Sequence, residues 1–247
     1  MEYTLVTGAS SGVGKEVAIY LSKDRNIILN GRNIDKLLET QKECKCNSII
    51  WCYDLSDVYN LEKEFTLFIE KNEIKIDGFV HCAGVMKMMP IRSVGLELLN
   101  STFSVNVFAP MMITKMLTSK RVNGQNLKSV IFISSNISNR GAVAFSVYGA
   151  SKSALDGLMR NLSIELAPNV RINSILPGAM ITEMTKDIFA DDSKRNEFEK
   201  NYPLGIGTPQ DIVGTVEFLL SDKSRWITGQ QVTIDGGRTI SITERSN

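Results

Sequence analysis

The sequence predicts an α/β fold: one doubly wound domain with a parallel seven-stranded sheet and helices on both faces. Three observations point there. Short apolar, β-rich runs alternate with segments of helical periodicity from Tyr3 to Ile234, the pattern of a parallel sheet built through helical crossovers. The first run stops at a glycine turn, Gly8-Ala9-Ser10-Ser11-Gly12-Val13-Gly14, and a helical pattern follows at once. Small and polar residues capable of chemistry stand at the ends of later runs, where a doubly wound sheet puts its ligand.

Composition sets the frame. Of 247 residues, 43% are apolar and 22% charged, and the net charge is +1. These are values of a soluble globular protein, and near-neutrality argues against nucleic acid or a membrane surface as partner. Cys44, Cys46, Cys52 and Cys82 are too few for a disulfide scaffold. With no nearby histidine and no paired C-x-x-C they predict free thiols in a reducing compartment, and no metal. Met1-Glu2-Tyr3 lacks the basic and apolar regions of a secretory leader. No run reaches the roughly 18 apolar residues of a membrane span. A cytoplasmic protein is expected. There is no repeat, linker or low-complexity tract.

Taken in order, Tyr3 to Thr7 reads as the first strand. The glycines after it let the backbone approach a pyrophosphate. The following helix N-terminus offers free N–H groups and a positive dipole end, and Ser10 and Ser11 add hydroxyls. The spacing is G-x-x-x-G-x-G, which departs from the general dinucleotide fingerprint. The second strand, Ile27 to Asn30, ends at Gly31-Arg32-Asn33. An acid there would bind the ribose 2′-hydroxyl of NAD, and an arginine would accommodate the 2′-phosphate of NADP. Gly31 stands in the acid's place and Arg32 follows, so NADP(H) is expected over NAD. Asp35 is a rival acid but reads as a first-turn charge of the next helix.

The third strand, Ser48 to Tyr53, ends at Asp54-Leu55. Asp54 is placed either to meet an adenine or to cap a helix starting near Asp57. The fourth, Asp77 to Cys82, runs into Ala83-Gly84. His81, the sole histidine, reads as a packed or hydrogen-bonded residue. Leu96 to Lys120 has the periodicity of one helix, with a Met stripe for core or subunit contact and Asn106 among its apolar positions. Val130 to Ser134 is the fifth strand, and Asn169 to Leu176 the sixth, ending at Pro177-Gly178. Residues 179–204 are charged and break the alternation, which predicts a substrate lid. A helix over Pro209 to Leu220 and a strand over Gln230 to Ile234 close the domain at Asp235-Gly236-Gly237. The last ten residues are polar, a loose tail or an oligomer arm.

The chemistry is expected between the fifth and sixth strands. Tyr148 and Lys152 are four apart at the start of a helix, so they share a face. An ammonium beside a phenol favours phenolate, and such a phenol can give or take a proton near neutral pH. A serine at the end of the preceding strand could hold a carbonyl oxygen against it.

Together these stretches resemble the short-chain dehydrogenase/reductase family over nearly all of the chain. The residues carrying the resemblance are Thr7 to Gly14, Asp54-Leu55, Ala83-Gly84, Asn106, Ser135, Tyr148 with Lys152, Asn173, Pro177-Gly178 with Thr182, Ile227 to Gln230, and Asp235 to Gly237. Ser135 stands thirteen residues before Tyr148, the family's usual interval. The resemblance implies a Rossmann-type fold and a nicotinamide cofactor that carries the hydride. Tyr148 is then the proton donor or acceptor, and Lys152 lowers its pKa and binds the nicotinamide ribose. Ser135 orients the substrate oxygen, Asn106 holds a relay water, and Thr182 meets the carboxamide. Gly8, Ser10, Ser11, Gly12, Val13, Gly14, Arg32, Asp54, Leu55, Ala83, Gly84, Pro177 and Gly178 complete the cofactor site. The family's Asn-Asn-Ala-Gly is replaced by His81-Cys82-Ala83-Gly84, which implies altered packing on the adenosine side. The segment Pro168 to Arg171 is shorter than the family's loop before the sixth strand.

The pattern is most like 3-oxoacyl-(acyl-carrier-protein) reductases, whose acidic partner would want a basic patch, with Lys120, Arg121 and Lys128 as contributors. A sugar or small-alcohol dehydrogenase is the alternative within the class. A non-catalytic NADP-binding regulator is the alternative outside it, but such a protein would be expected to lose Ser135, Tyr148 or Lys152. Family habit implies a homotetramer or homodimer with the 96–120 and 148–167 helices at the interface.

Overall fold

The computed structural model describes residues 1–186 and 189–241, and of residues 194 and 197 the backbone alone. In chain order the elements are β1 (Glu2–Thr7), α1 (Gly12–Leu21), β2 (Asn26–Gly31), α2 (Ile34–Glu43), β3 (Ser48–Cys52), α3 (Leu61–Asn72) and β4 (Lys75–His81). There follow α4 (Leu96–Phe103), a π-helical turn (Ser104–Phe108), α5 (Ala109–Thr118), the single-turn α6 (Lys120–Asn123) and β5 (Ser129–Ile133). α7 (Ser146–Glu165), β6 (Arg171–Pro177), α8 (Asp192–Glu199), α9 (Gln210–Leu220) and β7 (Gln231–Ile234) complete the chain.

The seven strands form one sheet in the order β3-β2-β1-β4-β5-β6-β7, and every pairing is parallel. Alternation along each strand divides the core. Leu5, Val130 and Phe132 join the cluster with Phe65 of α3, Ile113 of α5 and Leu155 of α7. Val6, Ile131 and Ile133 join Val17 of α1, Leu37 of α2 and Ile212 of α9 on the other face. Because successive side chains of a strand point to opposite faces, a sheet covered on both faces must be apolar at consecutive positions. That requirement makes these strands read as continuous apolar runs.

The chain goes outward from β1 to β3 and then returns to place β4 on the other side of β1. The strand order therefore reverses between β1 and β4, and a crevice opens beyond their carboxyl ends. Thr7 and His81 are register partners at that point.

Two expected elements differ. The helix expected from Leu96 to Lys120 is interrupted by the π-helical turn at Ser104–Phe108. Pro110 opens the next segment and has no N–H to give the carbonyl of Asn106, so the regular i to i−4 ladder cannot run through this point. The helix expected from near Asp57 begins at Leu61. Asp57 instead accepts from the backbone and side chain of Asn60, and Asp54 accepts from Ser56 N at 2.9 Å, so Asp54 closes a local turn and caps no helix.

The segment expected as a lid, 179–204, contains α8 and a parallel bridge between Met180 and Gly207. Its residues 187 and 188 lie outside the described residues, as do residues 242–247 of the polar tail. The helices expected at a subunit interface leave Leu96, Phe108, Met111 and Ile164 exposed. Among the described residues no helix is long and apolar enough to cross a membrane, no cluster of side chains could hold a metal ion, and all four cysteines are free.

Candidate active site

A cavity of about 550 Å³ lies over the carboxyl ends of the strands. All the cofactor-site residues expected from the sequence line it: Gly8, Ser10, Ser11, Gly12, Val13, Gly14, Arg32, Asp54, Leu55, Ala83, Gly84, Tyr148, Lys152, Pro177, Gly178 and Thr182. Ser135 lines it as well. Asn106 does not. It sits one layer behind, buried in the π-helical turn.

The floor of the cavity between β1 and α1 admits no side chains. A Cβ on Gly14 would lie 2.3 Å from the Gly8 carbonyl oxygen, and one on Gly8, at φ +68°, would lie 2.8 Å from Ala83 N. Ser11, at the start of α1, makes no side-chain cap, and the first turn carries no acid. The leading N–H groups of α1 are thus uncapped by side chains beneath a glycine cradle, and this fits a dinucleotide pyrophosphate. At the end of β2, Arg32 is exposed on the rim, 3.9 Å from a carboxylate oxygen of Asp54. Asp35 is in the first turn of α2, which Asn33 caps through Lys36 N, and it does not line the cavity. The residues present fit a nicotinamide dinucleotide.

β5 and α7 converge on the other half. Ser135 follows β5, and its hydroxyl accepts from Ile137 N at 3.2 Å. Tyr148 and Lys152 stand one turn apart on α7, with the Lys152 Nζ 5.7 Å from the centre of the Tyr148 ring. That ammonium is buried and donates to the carbonyl of Ile133 at 2.8 Å. Burial pushes the Lys152 pKa down to about 8, against the opposing pull of Asp156 and Cys82. Burial also pushes the Tyr148 phenol up to about 12, and its hydrogen bond with Ser135 pulls the other way. The expectation that Lys152 sets a low phenol pKa is thus corrected for the chain by itself. Desolvation outweighs the pull of Ser135, and Tyr148 is neutral at pH 7.

Behind them, Asn106 Oδ1 accepts from Val85 N at 2.8 Å, while its Nδ2 donates to Val85 O and to Ser151 Oγ. The amide therefore ties the segment after β4 to α7. A Cβ on Gly84 would stand 3.6 Å from Asn106 Oδ1 and 3.7 Å from Lys152 Nζ, so only a bare backbone separates the two.

His81 belongs to a chain of hydrogen bonds that sequence reasoning did not find. Thr7 Oγ1 accepts from the backbone N–H groups of Cys82 and Ala83. Its one hydrogen is then left for His81 Nδ1, at 2.9 Å. The proton of the ring sits on Nε2, which faces the carbonyl of Val105 at 3.1 Å. Burial, reinforced by the Lys152 charge, pushes the His81 pKa down to about 3, so the ring is neutral. His81 thus links β1 through β4 to the turn that carries Asn106. A lone histidine gives no sequence signal of its two partners.

The cavity also takes in Arg140, Phe145, Met184, Tyr202 and Arg238, which were not singled out. The signals for Arg140 and Arg238 were their places, one inside the interval from Ser135 to Tyr148 and one directly after Asp235-Gly236-Gly237. The basic patch expected beside the site is elsewhere. Lys128 precedes β5 and pairs with Glu2 at 3.3 Å, and α6 ends at Gly124, against Lys75 at the start of β4. Lys120, Arg121 and Lys128 therefore lie toward the amino ends of the strands, opposite the cavity.

A doubly wound sheet, a dinucleotide cradle and a Ser-Tyr-Lys cluster define an oxidoreductase site. Residues 8–239 match the family model described as enoyl-(acyl carrier protein) reductase. The chain is 34% identical to an L-xylulose reductase of Caenorhabditis elegans, covering 94% of each. It is 29% identical to an L-rhamnose 1-dehydrogenase (NADP(+)) of Thermoplasma acidophilum, covering 96% of each. Its fold matches a 4-hydroxyisoleucine dehydrogenase mutant complexed with NADH and succinate at a TM-score of 0.90 and 28% identity, covering 98% of this chain and 100% of that one. The chain belongs to the short-chain dehydrogenase/reductase family and is an oxidoreductase of CH–OH and C=O groups.

Proposed function

We propose that this enzyme interconverts a carbonyl and a secondary alcohol on a sugar or polyol, with NADP(H) as cofactor. The observation that carries the reading is the meeting of Ser135, Tyr148 and Lys152 in the cavity that the glycine cradle also lines. The bound cofactor supplies or takes the hydride. Ser135 holds the substrate oxygen in place. Tyr148, neutral at pH 7, donates its proton to that oxygen as the carbonyl becomes an alcohol, and takes it back in the other direction. Lys152 keeps a positive charge behind the phenol and stabilises the phenolate left after donation.

Relatives named for sugars support a polyol over the 3-oxoacyl thioester that the sequence favoured, and the siting of Lys120, Arg121 and Lys128 agrees. Arg32 on the rim and Gly31 in place of an acid support NADP(H). Residues 179–204 are read as the lid over the substrate half, since Thr182, Met184 and Tyr202 line the cavity from that segment.

The test is a panel of NADP⁺ reduction with pentitols, hexitols and aldonates, and NADPH oxidation with ketoses and 3-oxoacyl thioesters. Turnover of sugars or polyols above the thioesters is expected. Turnover confined to the thioesters would replace this reading with the acyl one.

A further inference from the structure

The cavity is lined by two arginines that form no ion pair among the described residues. Arg140 and Arg238 are both half-buried and both line it. They approach from different elements, Arg140 from the loop after β5 and Arg238 from the turn after β7. They are held together, since Arg140 Nη1 donates to the backbone carbonyl of Arg238 at 2.9 Å. Among the described residues neither guanidinium takes part in an ion pair.

The nearby acids are already engaged. Asp235 accepts from Asn136, Gly237 N and Thr239 through its two oxygens. Glu183, which lines the cavity, pairs with Lys186 at 2.6 Å. Both arginine charges reach Tyr202, whose hydroxyl accepts from Ala179 N at 3.1 Å; both pull its pKa down against burial and Asp235. The remaining wall is apolar, with Phe145, Met184, Phe189 and Phe198.

A half-buried guanidinium gives up hydration that a surface arginine keeps, and two that both act on Tyr202 add their positive charge at one part of the cavity. A lining of this kind is stable and selective when an anion supplies the acceptors. We propose that Arg140 and Arg238 form an anion subsite that receives a carboxylate or phosphate on the substrate, so that the substrate class is an acidic polyol and not a neutral sugar alcohol. This rests on reading the cavity as the site of carbonyl and alcohol exchange. The arginines act in binding, and the chemistry stays with Tyr148.

The experiment is calorimetric titration of the enzyme saturated with NADPH, which cannot react with an alcohol, using D-gluconate, 6-phospho-D-gluconate and D-glucitol as probes. These share a polyol chain and differ at the ends. One or both anions are expected to bind at least about tenfold more tightly than glucitol. Which of the two binds better assigns the subsite to carboxylate or to phosphate. Arg238→Gln, at a side chain with no hydrogen bond among the described residues, should remove that advantage and change glucitol affinity far less than anion affinity. Arg238→Lys should restore part of it, and Arg140→Gln should act in the same direction. Equal binding of anions and glucitol, or an anion advantage that survives both glutamine variants, would overturn the proposal. Binding is read without turnover, so this outcome is separable from failure of the polyol reading. An enzyme that reduces only thioesters sinks the latter whatever the arginines hold.

Discussion

At the residue scale the site depends on how burial sets two ionisable groups, Tyr148 and Lys152. Tyr148 is held neutral, so Tyr148→Phe keeps the ring and removes the one proton that matters. Turnover should fall by about 10²–10⁴, with NADPH affinity, followed by its fluorescence, nearly unchanged. Arg32 is exposed on the cavity rim, and in the proposed reading it meets the cofactor's 2′-phosphate through charge. Arg32→Ala should weaken NADPH by about tenfold or more and leave NADH alone, as two fluorescence titrations would show. Lys152 has a pKa of about 8, below that of a free lysine, so its charge is lost as pH rises through 8. If that charge is needed, kcat/KM for reduction should decline above this pH. Asp156 is buried on α7 one turn beyond Lys152, with neither carboxylate oxygen hydrogen-bonded among the described residues, and its charge raises the Lys152 pKa. Asp156→Asn should therefore move the declining limb to lower pH, and pH profiles of the two proteins check it.

At the scale of elements, the β1–α1 turn is the most constrained piece of the molecule. A methyl group on Gly14 would overlap the Gly8 carbonyl, and backbone cannot rotate away as a side chain can. Gly14→Ala should cost about 1–3 kcal/mol of stability and abolish cofactor binding, as thermal unfolding with and without NADPH would show. This turn was legible in the sequence because glycine spacing reports backbone contact directly. The strands were legible too, since a sheet covered on both faces forces unbroken apolar runs such as Val130 to Ile133. The π-helical turn was not. Its cause is one missing N–H at Pro110, inside a stretch whose apolar period suits a continuous helix. Nor was the role of Asn106 as a strut between Val85 and Ser151, because hydrogen bonds across 21 and 45 residues leave no local pattern. Arg140 and Arg238 meet only after β5, β6 and β7 are laid side by side, and a sequence does not show that two loops share a wall.

For the whole molecule, the sheet's centre is wired by neutral polar groups, which gives stability a pH dependence. His81 has a folded pKa of about 3, against about 6.5 unfolded. Between these values the unfolded chain binds the extra proton, so stability rises with pH across this window. It is complete above 6.5 and is lost as pH falls toward 3. The slope from this group is at most about 1.4 kcal/mol per pH unit. Urea midpoints should therefore drop from pH 7 to pH 5, and a His81→Gln variant should show a flatter dependence over the same range.

The bond from Arg140 to the Arg238 carbonyl, with the grip of Asp235 on Thr239, makes the stretch after β7 part of the cavity wall. β1 begins at Glu2, at the opposite rim of the sheet. An addition ahead of Glu2 is therefore remote from the chemistry, whereas a change at Thr239 itself adjoins the pocket. Thr239→Ala, which removes one donor from Asp235, should alter substrate KM, and steady-state kinetics beside an amino-terminally tagged control check it.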